Sequence, residues 1–154
     1  MPGLLAARRI PYAGFPAGAA LAARSAVVGG RLLDGVAVCP QDTAEDLEEI
    51  AVRTGFGLVP FAVDAHAAQW GTLPRPIAAV VRHRLPHGIA VDENTLVEVA
   101  VDGRAHVSGL GRAHSVRPSA DGGALVRSYG AGESFPVRRG RRTPCPTRFD
   151  GKLR

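Results

Sequence analysis

The sequence predicts an α/β fold, and three observations carry that expectation. Short apolar runs alternate with helix-forming segments over the first ninety residues, the pattern of a parallel layer crossed by helices. A period-2 run with an Asp-Gly reversal follows, "TLVEVAVDGRAHVSGLG", which reads as a β-hairpin. A second, weaker hairpin signal lies around Asp121-Gly122-Gly123.

Each element has its own signal. Gly3–Arg9, "GLLAARR", reads as the end of a helix, and "IPYAGF" as a short strand with Pro11 at its start. The alanine-rich "AGAALAARSA" after Pro16 is expected to be helical, with Gly29-Gly30 ending it. "DTAEDLEEI" carries a helix start, with Asp42 as cap and Glu45 as its capping-box partner. "GLVPFAVDAH" reads as a buried strand with Val59, Phe61 and Val63 on one face. "TLPRPIAAVVRHRL" is a helix that tolerates Pro74 and Pro76 only in its first turn. "HGIAVDEN" is a further apolar strand. The hairpin alternates at Val97, Val99 and Val101 and turns at Asp102-Gly103. A second hairpin is centred on Asp121-Gly122-Gly123.

The 154 residues fit one domain, whose apolar content is mostly valine and alanine, so the expected core holds few large side chains. The net charge of +5 is unevenly placed. Pro136–Arg154 holds seven basic residues and one acidic, net +6, and residues 1–135 are close to neutral at −1. The expected division is therefore a domain over residues 1–135 and a basic, disordered tail over 136–154. The folded part has no basic excess to serve nucleic acid, and the tail has Phe149 as its one aromatic. Cys39 and Cys145 make neither a disulfide framework nor a C-x-x-C motif, which favours a reducing compartment. With no signal peptide pattern and no run of about 18 apolar residues, the expectation is a cytoplasmic protein without a membrane partner.

Chemistry gathers at three places. Gly14-Phe15-Pro16-Ala17-Gly18 has the frame of a G-x-S-x-G nucleophile elbow, with proline where serine would stand. His66 follows the strand "PFAVD", and Glu93 ends the strand "GIAVDE". In an open parallel sheet, sites collect at the carboxyl ends of strands, so Pro16, His66 and Glu93 are expected at successive strand ends. His83 and His87 have i, i+4 spacing, but Pro86 intervenes and no further ligand accompanies them, so no metal is expected. Cys39 lies outside the elbow and precedes Pro40, and is read as a small buried or loop residue.

The segments "YAGFPAGAALAARSAVVGG", "GLVPFAVDAHAAQWGTL" and "GIAVDENTLVEV" resemble successive blocks of the cyanophycinase and dipeptidase E family of serine peptidases. The resemblance covers about residues 4–118. It implies a class I glutamine amidotransferase-like fold, here an incomplete three-layer α/β/α sandwich with C-terminal β-hairpins. On this resemblance, several strands and helices that precede the elbow in that family are expected to be absent here. It also implies that His66 is the general base, that Glu93 orients it, and that the amide of Ala17 serves the oxyanion hole. Asp64, Gln69, Asp92 and Asn94 would shape the pocket. The substrates would be aspartyl or β-aspartyl peptides, with no cofactor, and the chain would act as an oligomer or beside a complete homologous subunit.

Pro16 departs from the family pattern. It has no hydroxyl, so no acyl-enzyme can form on it. Its φ is locked near about −65°, whereas an elbow nucleophile sits at positive φ. The residue before a proline is pushed to extended geometry, so Phe15 is expected to be β-like, with Pro16 starting the helix. Ser25 is expected on that helix, roughly 13 Å from Pro16 at about 1.5 Å per residue, and cannot replace it. The chain is therefore expected to be an inactive member of the family; the alternatives are a non-catalytic peptide-binding or subunit-pairing homologue, or a truncated, degenerate gene product.

Overall fold

The computed structural model describes Gly3 and residues 10–137. It is a mixed α/β, strand-rich fold with two α-helices within residues 10–137. The elements are α1 (Pro16–Ala22), β1 (Ser25–Val27), β2 (Leu32–Leu33), β3 (Val36–Ala37), β4 (Val52–Thr54) and β5 (Ala62–Ala65). They continue with α2 (Pro74–Arg82), β6 (Gly88–Val91), β7 (Thr95–Val99), β8 (Arg104–Gly109), β9 (Ala113–Pro118), β10 (Ala124–Tyr129) and β11 (Ser134–Pro136).

The main sheet has six strands in the order β10-β9-β6-β5-β1-β4. Its centre is parallel: β1 pairs with β5 and β5 with β6. The crossover from β5 to β6 runs through α2, as parallel neighbours require. Antiparallel strands close both sides, β4 on β1 and β9 then β10 on β6. A three-stranded sheet, β11-β8-β7, forms a second layer.

Successive residues of a strand point to opposite faces, and that separates the layers. Val63 joins Phe61, Ile89, Ala105, Val107, Phe135 and Val137 in one cluster between the two sheets. Ala19 in the middle of α1 and Ala23 just past its end pack on this face too. Ala62, the neighbour of Val63, faces the other way and packs with Val27 and with Ala79 of α2. The core is built largely from alanine and valine, as composition predicts. Phe135 is its largest fully buried side chain, stacked on Tyr129 at 4.3 Å between ring centroids.

Several expectations hold. Val59, Phe61 and Val63 share one cluster, and α2 carries Pro74 and Pro76 in its first turn. Both hairpins form: the first lies in the smaller sheet, and the second extends the main one.

Others are corrected. Residues 10–15 form no strand, because the neighbouring positions along β5 are taken by β1 and β6. The alanine-rich helix stops at Ala22 rather than at Gly29-Gly30. Ala23 bridges to Val59 and the Arg24 amide donates to the Val59 carbonyl, so sheet pairing overrides helix propensity and Ser25 opens β1. Residues 42–50 form no α-helix beyond a 3-10 turn at Gln41–Thr43. Glu45 and Asp46 take positive φ of 53° and 63°. The acids serve elsewhere: Glu48 pairs with Arg31, and Glu49 accepts from the amides of Asp34 and Gly35.

The first hairpin reverses over Ala100–Gly103. Gly103 sits at φ 82° and Val101 is exposed at the tip, so the alternation ends at Val99. The folded body also passes residue 135. Pro136 pairs with Arg104, and Val137 is buried and donates to the Gly103 carbonyl. The rest of the tail, and Gly3–Arg9 apart from Gly3, lie outside the described residues. Among the described residues, no helix is long and apolar enough to cross a membrane.

His87 marks the interior of the main sheet. It is buried beside Phe61, and its Nε2 lies 2.8 Å from Ser115 Oγ. Burial, then the positive charge of Arg117, lowers its pKa from 6.5 to about 3. His87 is therefore neutral in the fold, while the unfolded chain takes up a proton below pH 6.5. Stability contributed by the neutral ring is complete above pH 6.5 and falls as the pH drops toward about 3. The steepest contribution is about 1.4 kcal/mol per pH unit. Urea unfolding across this window will show that acid slope, and a His87→Gln variant will flatten it. An equal slope in both proteins would contradict the assignment.

Candidate functional site

The parallel pairing of β5 with β6 sets Asp64 beside Ala90 and Ala65 beside Val91. The residues just past these strand ends therefore meet. His66 turns out of β5 at φ 64°, in the left-handed region that few non-glycine residues adopt. The next amide, of Ala67, donates to the Val91 carbonyl of β6. Glu93 leaves β6 two residues after its end, and its Oε1 lies 3.2 Å from His66 Nδ1. Its Oε2 accepts from the Gln69 amide at 3.1 Å. Trp70 stacks on the imidazole, with centroids 4.4 Å apart, and its amide donates to the His66 carbonyl.

This arrangement selects one tautomer of a neutral ring. An ionised Glu93 only accepts, so the proton of a neutral His66 lies on Nδ1 and Nε2 is left with its lone pair. The pair is partly exposed, at 26% and 20% of the side chains, so a solute can reach it. Thr95 Oγ1 donates to the Glu93 carbonyl and accepts from the Gly111 amide, which anchors the turn carrying the acid.

The frame around Pro16 is kept without an elbow. Phe15 is extended at φ −93° and ψ 175°, and Pro16 is the first residue of α1. Gly14 is needed for close approach: a Cβ there would stand 2.6 Å from the Gly18 carbonyl carbon. Tyr12 also donates its hydroxyl to the Gly18 carbonyl oxygen. Ala17 is exposed in the first turn of α1. Among the described residues, no hydrogen bond joins Pro16 or Ala17 to the His66–Glu93 pair. Pro16 follows no strand, which corrects the expectation of three successive strand ends.

Asp64 points away from this pair. It is buried and accepts from Arg75 through both oxygens, at 2.7 Å from Nε and 2.7 Å from Nη2. Arg75 Nη1 donates to the Thr43 carbonyl and to Glu45. Burial works against the Arg75 charge, but the hydrogen bonds and charge of Asp64 outweigh it, so its pKa lies above the ordinary arginine value. Sequence reading missed Arg75. Its signal was an arginine held between two prolines at the start of an apolar helix.

Asp92 is turned to the opposite side of β6 from Glu93 and binds His114 of β9, with Oδ1 3.1 Å from Nε2. Asn94 takes φ 53° and its carbonyl accepts from the Leu110 amide, a turn role. Cys39 is buried, and burial pushes its thiol up, which removes it as a nucleophile at neutral pH. His83 is exposed and His87 is buried, so they do not converge. Among the described residues, no group of three His, Cys, Asp or Glu side chains is arranged to hold a metal.

Fold and site together define a mixed α/β protein with a histidine–carboxylate pair at the ends of adjacent parallel strands. Comparison with family models and with curated proteins finds no match for the chain.

Arg75→Met will leave Asp64 buried without its partner and is expected to cost about 3–5 kcal/mol in urea unfolding. The double variant Asp64→Leu with Arg75→Met will lose less than the single one. A single-variant loss below about 1 kcal/mol, the size of an exposed pair, would contradict the buried-pair assignment.

Proposed function

We propose that this chain is a catalytically silent relative of the cyanophycinase and dipeptidase E serine peptidases. In this reading its fold is the three-layer α/β/α sandwich of the glutamine amidotransferase-like type, and its setting is cytoplasmic. His66 stands in the place of the general base and Glu93 in that of the acid which orients it. Pro16 occupies the nucleophile position. Ala17, Gln69 and Asn94 border the pocket, while Asp64 and Asp92 support it from behind.

One observation carries the reading. His66 and Glu93 make a base-orienting contact of 3.2 Å, while Pro16 begins α1 with no hydroxyl to activate. A base at this position draws a proton from a nucleophile before attack on the carbonyl. Here there is no such proton, and the backbone of a helix start replaces the strained turn that would aim it. Loss of the nucleophile alone costs such enzymes on the order of a millionfold in rate.

The purified chain is expected to release no amino acid above buffer from aspartyl dipeptides or from β-aspartyl-arginine. Turnover that His66→Ala abolishes would overturn the reading.

A further inference from the structure

Asp92 and Glu93 are adjacent, and each holds a histidine from a different neighbour of β6. The second of these pairs continues to a hydroxyl. In the sheet register Ser128 of β10 lies opposite His114 of β9, which lies opposite Ala90 of β6. His114 Nδ1 is 2.8 Å from Ser128 Oγ, and its Nε2 is 3.1 Å from Asp92 Oδ1. Asp92 Oδ2 accepts from the Arg112 amide at 2.9 Å, so the carboxylate is fixed at both oxygens.

The direction of these bonds follows from the acceptor. An ionised Asp92 places the ring proton on Nε2, so Nδ1 offers its lone pair and Ser128 donates to it. The side chains of His114 and Asp92 are only 12% and 9% exposed, which shields their contact from water. Ser128 itself is exposed. β10 is the last strand of the described sheet, so alternate amides along it point away from β9, where an acyl oxygen could meet them.

We propose that Ser128 is a nucleophile toward activated esters, with His114 as its base and Asp92 as the positioning carboxylate. Ser128 Oγ bonds to the ester carbonyl carbon while its proton passes to His114 Nδ1. The bond from that carbon to the leaving oxygen breaks, and the leaving oxygen takes the proton from His114. The products are acyl-Ser128 and one alcohol. The site is separate from the His66–Glu93 pair and needs nothing from Pro16.

The test is acylation of the purified full chain by p-nitrophenyl acetate, followed by release of p-nitrophenolate and by mass spectrometry of the peptides. The expected result is an acetyl group on Ser128 that is lost in Ser128→Ala. His114→Gln is expected to slow acetylation of Ser128 by about a hundredfold or more. Asp92→Asn will slow it as well, and Asp92→Glu, which keeps the carboxylate charge facing Nε2, will be faster than Asp92→Asn. Thermal melting of each variant confirms its fold, and if His114→Gln does not fold, Asp92→Asn decides. No acetyl group on Ser128, or a fall of less than about tenfold in the deciding variant, would overturn the proposal.

Discussion

The buried ion pair between Arg75 and Asp64 joins parts of the chain that share no local sequence. Asp64 belongs to β5, Arg75 to the first turn of α2, and the guanidinium also reaches the Thr43 carbonyl and Glu45 in the loop before β4. A guanidinium enclosed this fully must have its charge and donors matched, so the three segments have one relative placement that satisfies it. The consequence is felt one residue further along. Asp64 Oδ1 also accepts from the Ala65 amide, and the Ala65 carbonyl accepts from Thr72 Oγ1. The loop that carries His66 is thus fastened at its root and at its far end. The left-handed backbone of His66 is held by these bonds rather than by any local preference.

Much of this was legible in the sequence where the cause is local. Period-2 alternation marks β7, and the spacing of Pro74 and Pro76 marks the first turn of α2. The failures share a different cause. Ala23 leaves its helix because Val59 offers it a sheet partner, and the acids after Asp42 abandon a helix because Arg75, Arg31 and the β2–β3 turn recruit their carboxylates. Val137 is buried because Gly103, more than thirty residues earlier, accepts its amide. None of these partners is visible within a window of one element.

The site divides in the same way. His66 and Glu93 were readable because each ends an apolar run, and parallel pairing of the runs does the rest. His114 and Ser128 lie within strands, at positions where alternation alone assigns no role. Their contact depends on the register of two hairpin strands with each other and with β6. Two histidines therefore stand on either side of one strand end, His66 held by Glu93 and His114 set between Asp92 and Ser128.

The account depends most on His66 being held by Glu93, with no nucleophile hydrogen-bonded to its Nε2 among the described residues. Nitrogen-15 NMR of the imidazole under alkaline conditions, where a free ring is neutral, reads this directly. The predicted result is the tautomer with the proton on Nδ1, and a shift of its resonance when Glu93 is replaced by Gln. A proton on Nε2, or a spectrum indifferent to that replacement, would contradict the account.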